Sequence, residues 1–164
     1  MKKFTIPAIL IFSIFTFGFT GDKGEDFCGI KNTAYKEGEV VTFKVYYSWL
    51  GAYIGAGEAT FTTTLERFNG KPVYHHVGEG KTYSTFDNFF KVRDRYESYV
   101  DTASLLPYRF IRNIEEGSYK KYNNVSFNQA VNTATSNNGV FPITDCMQDV
   151  MSAVYYARNI NFDK

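Results

Sequence analysis

From Val40 onward apolar and polar side chains take turns: Val41, Phe43, Val45, Tyr47 and Trp49 alternate with Val40, Thr42, Lys44, Tyr46 and Ser48. Successive side chains of a strand point to opposite faces, so a period of two predicts a half-buried strand. The glycine-rich residues 51–57 are expected to turn the chain. Ala59, Phe61, Thr63 and Leu65 then alternate with Glu58, Thr60, Thr62, Thr64 and Glu66 as a second strand. Asn69-Gly70 is the strongest hairpin signal in the chain, because both residues tolerate the positive φ of a two-residue turn. It leads into a third run over residues 73–80, and three strands joined by short turns predict an antiparallel meander.

Ser84-Thr85-Phe86-Asp87 reads as a capping box that opens a short helix with Phe86, Phe89 and Phe90 on one side. Alternation resumes over residues 89–101, again from Tyr108 through Phe110, Arg112 and Ile114, and again over residues 119–127, with Glu116-Gly117 as a turn. A last strand is expected over residues 130–135, ahead of a turn at Asn137-Asn138-Gly139. Asp145 and Gln148 suggest a second capping box. Met147, Val150, Met151, Val154 and Tyr155 recur at helical spacing through Arg158, so one amphipathic helix closes the pattern.

The segment FFKVRDRYESYVD, residues 89–101, complicates the simple alternation with six charges of both signs. On a strand, Lys91, Arg93, Arg95, Glu97, Tyr99 and Asp101 share one face, which reads as a solvated charge ladder. Asp94 falls on the other face, among Phe90, Val92, Tyr96, Ser98 and Val100. A carboxylate on an apolar face needs a partner, since burying an unpaired charge costs several kcal/mol. Arg112 is the first candidate for a framework charge pair with Asp94, and Arg109 is the alternative.

Composition narrows the class. Residues 1–3 are Met-Lys-Lys, an apolar run follows, and small residues gather around Gly18 and Gly21. These are the parts of a secretory signal, and residues 1–21 are assigned to it; the run is shorter than the roughly 20 residues of a membrane span. Cleavage is expected between Gly18 and Gly21, which makes the protein periplasmic or otherwise exported, with no transmembrane segment after processing. Residues 22–38 form a polar, extended lead-in, and residues 39–160 are the length of one β-rich domain. The formal net charge of +1 gives no electrostatic case for a nucleic-acid partner or for an anionic membrane surface. With 16 Phe and 13 Tyr, the chain favours strands over helices. Its two cysteines, Cys28 and Cys146, either form a disulfide in an oxidising compartment or stay as separate thiols.

Candidate chemistry is sparse. His75 and His76 are adjacent, so on a strand they face opposite ways and do not readily grip one metal ion. No helix pattern follows the glycines of residues 51–57, which argues against a phosphate loop and for a bent β turn. No motif pairs a nucleophile with a base, and neither a catalytic set nor a cofactor is assigned. Trp49, Phe86, Phe89 and Phe90 are candidates to line an apolar cleft, with an ordinary aromatic core as the alternative.

Several strings in order are similar to a known family. Tyr35-Lys36-Glu37-Gly38-Glu39, Ala56-Gly57-Glu58-Ala59, Phe89 to Asp94 running into Tyr96 to Asp101, Leu106-Pro107, Glu116-Gly117, and Gln148-Asp149-Val150 through Tyr155-Tyr156-Ala157-Arg158 resemble the bacterial domain-of-unknown-function family 3108. The resemblance spans roughly residues 28–160. It implies an exported envelope protein of Gram-negative bacteria, rich in antiparallel sheet, with further strands after the helix that this chain lacks. Asp101-Thr102-Ala103 also looks like an O-glycosylation acceptor of one group of these bacteria, with Thr102 as the site.

The expected fold is therefore mainly β: a curved antiparallel sheet or half-barrel meander with one short and one longer packed helix. The expected function is non-enzymatic binding of an apolar ligand, such as a lipid, or of an envelope protein. The alternatives are a structural or assembly partner with an exposed sheet edge and, third, an envelope hydrolase.

Overall fold

The computed structural model describes residues 30–161. The assigned signal, residues 1–21, and Cys28 lie outside the described residues. Eight strands form one open antiparallel sheet in sequence order: β1 (Val40–Trp49), β2 (Ala52–Phe68), β3 (Lys71–Thr82), β4 (Val92–Asp101), β5 (Pro107–Glu116), β6 (Tyr119–Asn128), β7 (Thr133–Ser136) and β8 (Gly139–Pro142). Two helices interrupt and close the meander, α1 (Ser84–Asp87) and α2 (Val150–Ala157). The mainly β fold expected from alternation is the fold observed.

Register follows the alternation. His76 lies opposite Thr63 on one side and Ser98 on the other. Gly78 lies between Phe61 and Tyr96. Directly paired residues share a face, so Phe61, Thr63, Tyr74, His76, Tyr96, Ser98 and Phe110 line one side of the sheet. α2 packs on that side, over β3 and β4. There Tyr35, Phe110, Met151 and Tyr155 form a buried cluster, backed by Phe61, Tyr74, Tyr96, Val125 and Phe127. Gly78 makes room for the helix: a Cβ at this position would meet Met151 at 3.1 Å and Phe61 at 3.2 Å.

The opposite side is the charge ladder. Arg95 joins Glu79 at 2.5 Å and Glu97 at 2.9 Å, Lys81 joins Glu58 at 3.0 Å, and Glu115 lies between Lys91 and Lys120. His75 is on this side, its Nδ1 2.9 Å from Glu66 and its Nε2 2.9 Å from Glu97, stacked on Tyr99 at 4.2 Å. The two histidines thus face opposite ways. The hydrogen bond with His75 Nδ1 holds the Glu66 carboxyl below its ordinary range.

Four local expectations are corrected. The β1–β2 turn is Leu50-Gly51 alone, with φ of 48° and 83°, and residues 52–57 belong to β2. The remaining glycines serve a bulge: Val45 pairs with Gly57 and Tyr46 with Gly55, leaving Ala56 as the extra residue. α1 has Tyr83 as its N-cap with no side-chain cap; Asp87 instead accepts from Thr82 and Arg93. The cap of α2 is Asp149 with Ser152, while Asp145 accepts from Asn132 and Gln148 donates to the Leu105 carbonyl. Finally, the strand expected at 130–135 starts at Thr133, and β8 follows it.

Candidate functional site

The anchorage of α2 defines the site. The Asp149 side chain accepts from the backbone N–H of Met151 at 2.8 Å and of Ser152 at 2.9 Å, satisfying two donors that a helix start leaves orphaned. Its other oxygen accepts from Ser98 Oγ at 2.6 Å, and Ser152 Oγ accepts from the Asp149 N–H. Burial raises the carboxyl pKa of Asp149, and the hydrogen bonds from Ser98, Ser152 and Met151 oppose that rise. One carboxylate therefore starts the helix and pins it to β4.

The next turn is fixed by rings. Tyr155 stacks on His76 with centroids 3.6 Å apart, and Tyr35 meets Tyr74, His76 and Tyr155 edge-on. His76 Nδ1 lies 3.0 Å from Thr63 Oγ1. Burial, with lesser contributions from His75 and Arg158, lowers the His76 pKa to about 3, so the ring is neutral. Ser98, His76 and Asp149 are a serine, a histidine and an aspartate close together, yet they are not wired as a catalytic triad. The hydroxyl is given to the aspartate and the histidine is bonded to a threonine, all three residues being buried.

The C-terminal end of α2 is strapped by the lead-in. Arg158 forms two hydrogen bonds to the Glu39 carboxylate and one to the Ala34 carbonyl, and Asn159 accepts from the N–H of Thr33 and of Ala34. Arg158 holds the Glu39 carboxyl below its usual range.

With α2 held over β3 and β4, the strands before them are left uncovered. The result is a cleft of about 320 Å³ between β1, β2 and the outer side of α2, lined by Val41, Phe43, Phe61, Val154, Tyr155 and Arg158. That volume lies at the low end of small-molecule sites. Phe43 remains 56% exposed although its ring meets Phe61 edge-on at 5.9 Å. The cleft offers apolar walls and one cation that is already paired, so it suits a hydrocarbon or aromatic group more than an anion. A larger trough on the charged side, about 600 Å³, is bordered by three bases, Lys81, Arg93 and Arg95, and four acids, Glu58, Glu79, Asp94 and Glu115.

The phenylalanines singled out from the sequence lie elsewhere, and the Trp49 side chain is outside the described structure. Phe86 touches Tyr47, Phe89 is exposed, and Phe90 lies over Gly117. Asp94 and Arg112 share a face but do not pair: Asp94 Oδ1 accepts from the Glu115 N–H at 3.1 Å, and Arg112 donates to Asn123 Oδ1 at 2.7 Å. Partial burial raises the Asp94 pKa. Thr102 sits in the turn after β4, its hydroxyl 3.5 Å from the Pro72 carbonyl. The bridge considered for Cys146 involves Cys28, outside the described residues. What alternation missed is the cleft, although it had placed Val41, Phe43 and Phe61 on strands; the missing datum was how far α2 reaches across the sheet. Among the described residues no cluster of His, Cys, Asp and Glu could hold a metal ion, and no helix is long and apolar enough to cross a membrane.

Comparison with known proteins adds a family. Neither the curated proteins nor the solved structures contain a match. A family model does match, over residues 42–164, and it covers every strand and both helices apart from the first two residues of β1. The chain belongs to the family described as protein of unknown function, DUF3108.

Proposed function

We propose that this protein is an exported, non-enzymatic envelope protein that holds an apolar ligand in the cleft between β1, β2 and α2. The observation that carries the reading is the cleft itself: Val41, Phe43, Phe61 and Val154 give it apolar walls, and the one charge at its rim, Arg158, is neutralised by Glu39. Exposed apolar surface of this kind gains by covering, at about 25 cal/mol per Å². The buried Ser98, His76 and Asp149 support a binding role over a hydrolytic one, since each is committed to holding α2.

The test is titration with a fluorescent fatty-acyl probe. Saturable binding that is lost in Phe43→Asn and Val154→Asp, with the fold intact by circular dichroism, is the expected result. Non-saturable binding, or binding untouched by either substitution, overturns it. Export is tested separately by the mass of the protein recovered from the host envelope, which should correspond to cleavage between Gly18 and Gly21.

A second reading rests on β1. It is the terminal strand of an open sheet, ten residues long, and its only charged side chain is Lys44. Such an edge is a template for strand addition by another chain. Co-purification of a stoichiometric protein that is lost on Val45→Pro would favour this reading over a small ligand.

A further inference from the structure

The β1–β2 hairpin breaks two rules at one residue. Its turn, Leu50-Gly51, has φ of 48° and 83°, the same geometry as Asn69-Gly70 at 50° and 81°. Both are two-residue turns with left-handed backbone at each central position, where Asn or Asp followed by Gly is favoured. The β2–β3 turn obeys that preference. The β1–β2 turn puts Leu in a conformation that its Cβ disfavours. Nor does burial explain the leucine, because Leu50 is 92% exposed. A residue that satisfies neither the backbone nor the core marks a position where function is to be sought.

Its surroundings share the chemistry. The last residue of β2 paired with β3 at this end is Gly57, opposite Thr82, so residues 52–56 and their β1 partners run past the rest of the sheet. Tyr53 at this projecting end is 78% exposed. α1 lies beside the hairpin: Tyr83 N–H donates to the Ala56 carbonyl, the rings of Tyr47 and Phe86 are 6.3 Å apart, and Phe86 meets Phe89, itself 83% exposed. Residues 45–57 contain no charged side chain. The nearest charges along the hairpin are Lys44 and Glu58, which face each other in register, and Glu58 is bonded to Lys81. The acid of α1, Asp87, is held by Arg93.

We infer that this projecting end docks on a lipid bilayer, with Leu50 and Phe89 entering the acyl region and the flanking tyrosines at headgroup level. Three features select a bilayer over a protein groove. The apolar groups project from a narrow tip instead of lining a concavity. About 17 Å of charge-free strand separates Leu50 from Lys44, so the tip can enter hydrocarbon as far as the tyrosines without carrying an ion with it. Tyr47 and Tyr53 combine an apolar ring with a hydroxyl, as residues at membrane interfaces do. The inference does not depend on the cleft holding a ligand.

The chain carries its own reporter, since Trp49 is the only tryptophan and immediately precedes Leu50. The full chain, as recovered from its host, is mixed with vesicles of phosphatidylethanolamine and phosphatidylglycerol containing brominated acyl chains, and Trp49 emission is followed. Reading at Trp49 separates docking of the tip from any attachment through the first residues. The expected result is a blue shift with quenching, and a lipid requirement raised at least about tenfold in Leu50→Asn/Phe89→Asn, given the apolar area removed. Leu50→Asn suits the turn, so that variant retains its fold, and an unchanged thermal midpoint or a higher one verifies this. No quenching at saturating lipid, or equal quenching in the double variant, overturns the proposal, as does a Trp49 shift produced by a protein and not by lipid. A Phe43→Asn variant that loses the acyl probe but keeps Trp49 quenching would separate failure of the cleft from failure of the tip.

Discussion

Ser98 and Asp149, 51 residues apart, are joined by a hydrogen bond of 2.6 Å that ties the start of α2 to the middle of the sheet. Both residues are buried, and Asp149 is also the helix cap. Removing the carboxylate in Asp149→Ala uncaps the helix, at about 1 kcal/mol. It also strands the Ser98 hydroxyl, at about 1–3 kcal/mol. Urea unfolding should report a loss of about 2–4 kcal/mol for this variant. Because the hydroxyl and the carboxylate act as one unit, Ser98→Ala and Asp149→Ala should be non-additive by more than about 1 kcal/mol in a double-mutant cycle; additive losses would mean that the pin carries no energy of its own.

His76 makes stability depend on pH. Its pKa is lowered to about 3 by burial beneath Tyr155, with His75 and Arg158 adding repulsion, whereas an unfolded histidine titrates near 6.5. Below pH 6.5 the unfolded chain takes up a proton that the folded chain refuses, so stability rises with pH in this window and falls on acidification. From pH 6.5 to pH 5 the loss from this group is about 2 kcal/mol. Lowered carboxyls such as Glu66 and Glu39 add their own loss only at lower pH, as they become protonated. In His76→Gln the slope of unfolding free energy against pH between 6.5 and 5 should flatten by that amount; an unchanged slope would place His76 in water.

The first six strands were legible because alternation is written residue by residue, and Asn69-Gly70 set the β2–β3 turn, whereas β8, four residues long, went unread. Both faces of β4 were read correctly, including the odd placement of Asp94. Its partner was not, because a side chain on a sheet has several polar neighbours within reach, and Asp94 found a backbone N–H while Arg112 found Asn123. The α2 cap was misread for a related reason. Asp145, Gln148 and Asp149 all suit a helix start, and what selects Asp149 is Ser98, which is distant in sequence. The cleft was hidden because it is a gap between elements, and a pattern along one element does not say how much of its face the next one covers.

Gly57 lies where the bulge brings β2 close to β3. A Cβ there would fall 2.3 Å from the Lys81 carbonyl oxygen and 3.0 Å from Thr82 Cα, both backbone atoms with little room to retreat. Gly55, on the other side of the bulged Ala56, would meet only ring atoms of Tyr83 and Tyr46, at 3.6 and 3.9 Å. Gly57→Ala should therefore destabilise by about 2–3 kcal/mol, while Gly55→Ala stays within about 1 kcal/mol of the parent. Thermal unfolding of the pair decides it, and equal effects would mean that β2 and β3 are not in this register at the bulge.

Leu50 offers a prediction whose sign is opposite to that of most substitutions. The left-handed conformation at this position costs a leucine about 1–2 kcal/mol relative to the right-handed region. Asparagine adopts the same conformation one hairpin later, at Asn69. With Leu50 almost wholly exposed, little packing is lost on replacing it. Leu50→Asn should thus raise unfolding free energy by about 0.5–1 kcal/mol, and Asn69→Leu, the reverse change in the matching turn, should lower it by a similar amount. Chemical denaturation of both variants measures the two effects. A stability gain at position 50 would mean that the leucine is retained at a cost to the fold, whereas a loss would show that Leu50 makes a stabilising contact and would remove the reason for seeking a role outside the folded chain.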